Sequence, residues 1–142
     1  MSKHYANGSW EGTLVKGKGN YTLKTSGYQG NLNYSSRFED SKEVSSPEEL
    51  IGAALSSCFS MALAHALDQG GTPSEKIETS AEVTLTKGAE GFSITEILLK
   101  TKGTVKGVDK NKFREIAEKT KESCPVSKAL KVTNIRLEAE LV

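Results

Sequence analysis

Between Leu50 and Leu67 nearly every residue is Ala, Leu, Ile, Met, Phe, Ser, Gly or Cys. A helix built from them has no polar face to offer water, so it must be wrapped by the rest of the chain, by a second copy or by lipid. Its ends are marked. Ser46-Pro47-Glu48-Glu49 supplies a cap, a proline in the first turn and a glutamate placed to close a capping box. Gly70-Gly71 supplies residues that accept the left-handed geometry of a helix end, so the helix is expected to run to about Gln69. Lipid is the poorer wrapping, because Ser56, Ser57, Ser60 and His65 lower the hydropathy and no aromatic belt or basic asymmetry flanks the segment.

The flanking sequence reads mostly as strands. Residues 10–14 and 21–25 enclose a turn-prone 16–20 and predict a hairpin, and a third strand is expected over 32–38. After the central helix, 81–87 alternates, 88–91 turns and 92–105 runs long. Phe92 and Ile94 are out of phase with Ile97 and Leu99, which requires either a bulge near Glu96 or cover on both faces. Asp109 should cap a second helix whose inner face carries Phe113, Ile116 and Ala117 and which ends near Ser123. Pro125 suits the first position of a short third helix reaching about Leu130, with Cys124 at its cap. Ile135, Leu137, Ala139 and Leu141 alternate with charged residues in a last strand. The expectation is one α+β domain over 1–142, in the order βββ-α-ββ-αα-β.

Charge narrows the function. Nineteen basic against eighteen acidic residues leave +1, with no excess field to hold a phosphate backbone or an anionic membrane surface, so neither nucleic acid nor membrane is an expected partner. Residues 1–7 lack the apolar run of a secretory signal, so the chain is expected in the cytoplasm, where a cysteine pair is more often catalytic, sensing or metal-binding than a permanent staple. Two cysteines and two histidines at scattered positions do not make a zinc site, and no metal or bound organic cofactor is expected. Gly17-Lys18-Gly19 lacks the ending and the following helix of a phosphate loop.

The two cysteines differ in setting. Cys58 lies mid-helix, where a thiol is a small inert hydrophobe with a raised pKa unless a fixed cation stands beside it. Cys124, at a helix start, would present its thiolate to unpaired backbone N–H groups; the plain alternative is a packing cysteine beside a turn. His65 shares a face with Cys58 but lies ~10 Å along the axis, too far to act as its base. His4 sits in the terminus.

Pro47-Glu48-Glu49-Leu50-Ile51-Gly52-Ala53-Ala54, then Cys58-Phe59-Ser60-Met61-Ala62-Leu63, resembles the OsmC/Ohr family of thiol-dependent peroxidases, as does Cys124-Pro125-Val126-Ser127. Trp10-Glu11-Gly12, Gly17-Lys18-Gly19, Arg37-Phe38-Glu39 and Gly91-Phe92 are similar to the osmotically inducible OsmC branch. The resemblance implies a reductase of hydroperoxides, organic ones especially, serving oxidative and osmotic stress defence. It makes Cys58 the peroxidatic and Cys124 the resolving cysteine, Arg37 the fixed cation and Glu49 the carboxylate that orients it. It implies a lipoyl protein or another small dithiol as reductant, and an intertwined homodimer with antiparallel sheets around two long central helices.

Helix geometry adds that Glu49 and Cys58 lie about 180° apart and ~13 Å along one helix, so a shared site needs Glu49 from a second subunit unless Arg37 bridges. Phe59, Met61 and Phe38 are candidates for an apolar wall facing an organic peroxide. The rival function on the same fold is a non-catalytic redox sensor or apolar-ligand binder.

Overall fold

Strands β1 (Ala6–Glu11), β2 (Lys18–Leu23) and β3 (Tyr28–Asn33) form an antiparallel meander in which Trp10 pairs with Gly19 and Tyr21 with Gly30. The Trp10 and Tyr21 rings lie over those two glycines, where a Cβ would collide with them. The computed structural model describes residues 1–130 and 134–142 in two compact units, 1–50 and 51–142.

The strand expected over 32–38 is a correction. β3 ends at Asn33, whose Oδ1 accepts the Ser36 N–H at 2.7 Å and caps a five-residue helix, α1 (Tyr34–Phe38). A short polar side chain that can bond the backbone two or three residues on favours a helix start over a continued strand. In this unit Tyr5, Trp10, Leu14, Val15, Leu23 and Tyr28 are all exposed.

Helix α2 (Pro47–Gln69) has the expected limits. Ser46 Oγ accepts the Glu49 N–H at 3.1 Å. At the other end Thr72 N–H bonds Leu67 O, Gly71 N–H bonds Asp68 O, and Gly71 takes φ +77°, the paired bonds of a Schellman stop. The helix is long and apolar enough to cross a membrane by length and composition. Here Leu55, Phe59, Leu63 and Leu67 form one fully buried stripe, spaced four residues apart. Contrary to the expectation of burial on every side, Ala54, Ser57, Met61 and His65 are exposed on another stripe.

In the second unit β4 (Ser74–Gly88) and β5 (Gly91–Val105) pair as a long antiparallel hairpin. Thr84 faces Glu96 and Leu85 faces Ile94, so Thr95 is the extra residue of a bulge, which explains the phase change in β5. Helices α3 (Lys110–Ser123) and α4 (Pro125–Ala129) follow, and Asp109 Oδ1 caps α3 by accepting the Lys112 N–H at 2.9 Å. Strand β6 (Asn134–Leu141) then lies parallel to β5. The second sheet is therefore mixed, not purely antiparallel, because a helical crossover returns the chain in the direction it left.

The core joins the α2 stripe to Ile97 and Leu99 of β5, Phe113 and Ala117 of α3, and Cys124. Ser60, Thr79 and Thr101 bond hydroxyl to hydroxyl at 2.8 and 2.9 Å and end on Glu78 O, so these polar groups enter the packing satisfied. The Phe113 ring occupies the space a side chain at Gly103 would need. Gly103→Ala is expected to lower stability by about 1–3 kcal/mol, read as a shifted denaturant midpoint; an unshifted midpoint contradicts this packing.

Candidate active site

The first candidate cluster belongs to residues 1–50. Arg37, in the last turn of α1, donates from Nε to both Glu48 carboxylate oxygens at 3.1 and 3.2 Å and from Nη2 to Oε1 at 2.8 Å. Its guanidinium carbon lies 5.1 Å from the Phe38 ring centroid. This forked ion pair holds the planar cation in one orientation, and with Glu48 only 7% exposed it is less screened than a surface pair.

The carboxylate that Arg37 bonds is Glu48, where the resemblance pointed to Glu49. Adjacent helix residues project about 100° apart, so only one of the two can face α1. Glu49 is exposed, and its backbone N–H serves the Ser46 cap. The missed signal was spacing: Glu48, Gly52, Leu55 and Phe59 recur at four- and three-residue intervals, and all four are buried. Arg37 finds this carboxylate within one chain.

The second cluster belongs to residues 51–142. α2 carries Cys58 and the α3–α4 junction carries Cys124, and the Cys124 thiol donates to Cys58 Sγ at 2.9 Å. Both are free thiols; Cys58 is half-buried and Cys124 fully buried. If an oxidant removed two electrons and two protons from the pair, a modest approach of two sulfurs already in contact would close a disulfide.

Their acidities separate. Burial pushes the Cys58 thiol up, the hydrogen bond and charge of Cys124 push it further, and the Val126 N–H only partly offsets them. Burial pushes Cys124 up as well, but it is outweighed by the Cys58 hydrogen bond, the N–H and hydroxyl of Ser127 and the Val126 N–H, so this thiol falls below the ordinary cysteine value. Acidity thus favours Cys124 as the first thiolate, whereas access favours Cys58 as the sulfur that meets a solute.

Other expectations need correction. Phe59 is fully buried in the core and lines no open wall, whereas Met61 is 75% exposed, because residues two apart on a helix project about 200° apart. His65 is exposed on the Met61 side of α2.

The thiol pair should titrate in two steps by ultraviolet thiolate absorbance, the first below and the second above the ordinary cysteine range. A single step of two equivalent thiols contradicts the asymmetry.

A family model described as OsmC-like protein matches residues 40–140. Peroxiredoxin OsmC of Escherichia coli (strain K12) is 43% identical over 127 residues, covering 86% of this chain and 85% of that protein, and Peroxiredoxin OsmC of Shigella flexneri gives the same figures. Among solved structures, an OsmC-like protein of unknown function from Vibrio cholerae superposes with TM-score 0.76 at 18% identity, covering 98% of this chain and 99% of that one. The organic hydroperoxide resistance protein OhrB of Bacillus subtilis superposes with TM-score 0.71 at 24% identity, covering 97% and 98%.

Proposed function

The chain belongs to the OsmC-like protein family, and on that premise we propose that it is a thiol peroxidase that reduces hydroperoxides, organic ones in preference, through Cys58 and Cys124. One observation carries the proposal. The two cysteines touch at 2.9 Å, one half-buried and the other closed off from solvent. That arrangement supports a first thiol that meets the peroxide and a second that reacts only with the first.

In the proposed cycle the Cys58 thiolate attacks one peroxide oxygen. An S–O bond forms, the O–O bond breaks, and the leaving alkoxide takes a proton to become alcohol, or water from hydrogen peroxide. The Cys124 thiolate then attacks the Cys58 sulfenic acid; the S–S bond forms, the S–O bond breaks, and hydroxide leaves as water. An external dithiol, a lipoyl protein or a smaller one, reopens the disulfide and is itself oxidised.

Because burial and Cys124 both disfavour charge on Cys58, the cycle needs a cation there. Arg37 is the proposed cation, in its own chain or in a second copy, and Glu48 orients it. The functional unit is proposed to be one domain acting as an intertwined homodimer in the cytoplasm. The exposed large apolar side chains of residues 1–50, and Met61 on the open stripe of α2, support a second copy as their cover. A monomer that is stable and active at assay concentration would rule out the dimer.

Turnover of tert-butyl hydroperoxide with a dithiol tests the chemistry. Cys58→Ser is expected to lose more than about a thousandfold in rate. Cys124→Ser should consume one equivalent of peroxide, then stall with Cys58 as sulfenic acid. Absence of wild-type turnover removes the proposal. Arg37→Ala should lower kcat/KM by about a hundredfold and Glu48→Gln by about tenfold, with Glu49→Gln within about twofold of wild type. Equal effects of the two glutamate changes contradict the assignment to Glu48.

A further inference from the structure

Ser127, the third residue of α4, is 5% exposed, and its hydroxyl oxygen is fully buried with no hydrogen-bond partner among the described residues. A buried hydroxyl left without a partner weakens a fold, so its presence calls for an explanation. One helical turn separates it from Cys124, and that turn is closed by Lys128 N–H bonding Cys124 O at 3.0 Å. In a helix start, the side chain of the cap residue and the polar groups three residues on face each other.

The Cys124 sulfur accepts no capping hydrogen bond, and as a thiol it donates its proton to Cys58. Losing that proton turns the sulfur into an acceptor only. With Cys124 fully buried, water cannot solvate the charge, and a hydroxyl that can rotate is the group suited to receive it. The Ser127 N–H and its nearby hydroxyl both favour charge on Cys124, although the hydroxyl does not have the geometry of a hydrogen bond to the thiol.

We propose that the Ser127 hydroxyl is a positioning donor that swings onto the Cys124 sulfur whenever that sulfur carries charge, in both halves of the thiol–disulfide cycle. The inference rests on the Cys58–Cys124 cycle proposed above. In the oxidative half Ser127 aims the Cys124 thiolate at the Cys58 sulfenic sulfur. In the reductive half the external thiolate must attack the Cys58 sulfur, since Cys124 is closed to it. A new S–S bond to Cys58 forms, the old one breaks, and the electron pair leaves on Cys124 as thiolate. Ser127 stabilises that leaving group, and a thiol of lower pKa leaves faster.

The test begins without peroxide. In the full-length Cys58→Ser protein, where Cys124 is the remaining thiol, ultraviolet thiolate absorbance gives its titration midpoint. Adding Ser127→Ala should raise that midpoint by about one unit, while Ser127→Thr, which keeps a hydroxyl, should hold it near the parent value. With Cys58 restored, Ser127→Ala should slow reduction of the preformed disulfide by a small dithiol several-fold. A hydroxyl with a purely structural role predicts the reverse pattern: a higher melting temperature for Ser127→Ala and an unmoved midpoint, and that result overturns the proposal. Should Ser127→Ala lose the fold, Ser127→Val compared with its isostere Ser127→Thr deletes the same hydroxyl at constant volume and carries the same reading. Loss of peroxide turnover in the wild type would remove the peroxidase function and leave the midpoint comparison standing, so the two failures are distinguishable.

Discussion

Burial of one apolar helix organises this protein. α2 cannot stand in water, and packing Leu55, Phe59, Leu63 and Leu67 against β5 and α3 builds the core of the second unit. Cys58 lies one residue before Phe59 in that stripe and inherits its fixed position. Cys124 closes the other side because α3 packs through Phe113 and Ala117 and ends beside it. The thiol contact is thus a product of hydrophobic packing, which explains how two residues 66 positions apart meet at 2.9 Å.

Packing also distributes acidity and access in opposite directions. The sulfur with the lower pKa is the one no solute can reach, and the reachable sulfur has its charge disfavoured. A buried hydrophobic setting does this to any thiol that lacks a cation, and backbone and hydroxyl donors undo it where they are present. Two-thiol chemistry fits the division, since attack on a peroxide requires access and departure as a thiolate requires a stabilised charge.

Arginine 37 is held by geometry that propensity does not reveal. Asn33 stops β3 and caps α1, and the single turn that follows carries the guanidinium to the start of α2, where a glutamate inside the helix stripe receives it. A fork of two nitrogens on one carboxylate fixes both position and plane, which a lysine there could not do.

Much was legible from the residues. The limits of α2, the Asp109 cap, the proline start of α4 and the bulge as one of two options in β5 all rest on local chemistry, and local chemistry is written in consecutive residues. The strand that became α1, the choice of Glu48 over Glu49, the core position of Phe59 and the parallel setting of β6 were not so written. Each depends on which neighbour a side chain or strand faces, and a sequence period gives only relative faces until packing selects one. By itself the sequence determined that an apolar helix must be buried and that two unlike thiols lie at its middle and at a distant helix start. Only the tertiary structure decided that they touch, that one of them is sealed from water, and that a buried serine hydroxyl unpartnered among the described residues stands one turn away. Contact, burial and an unmet hydrogen bond are relations between distant parts of a packed chain, and those exist once the chain has folded.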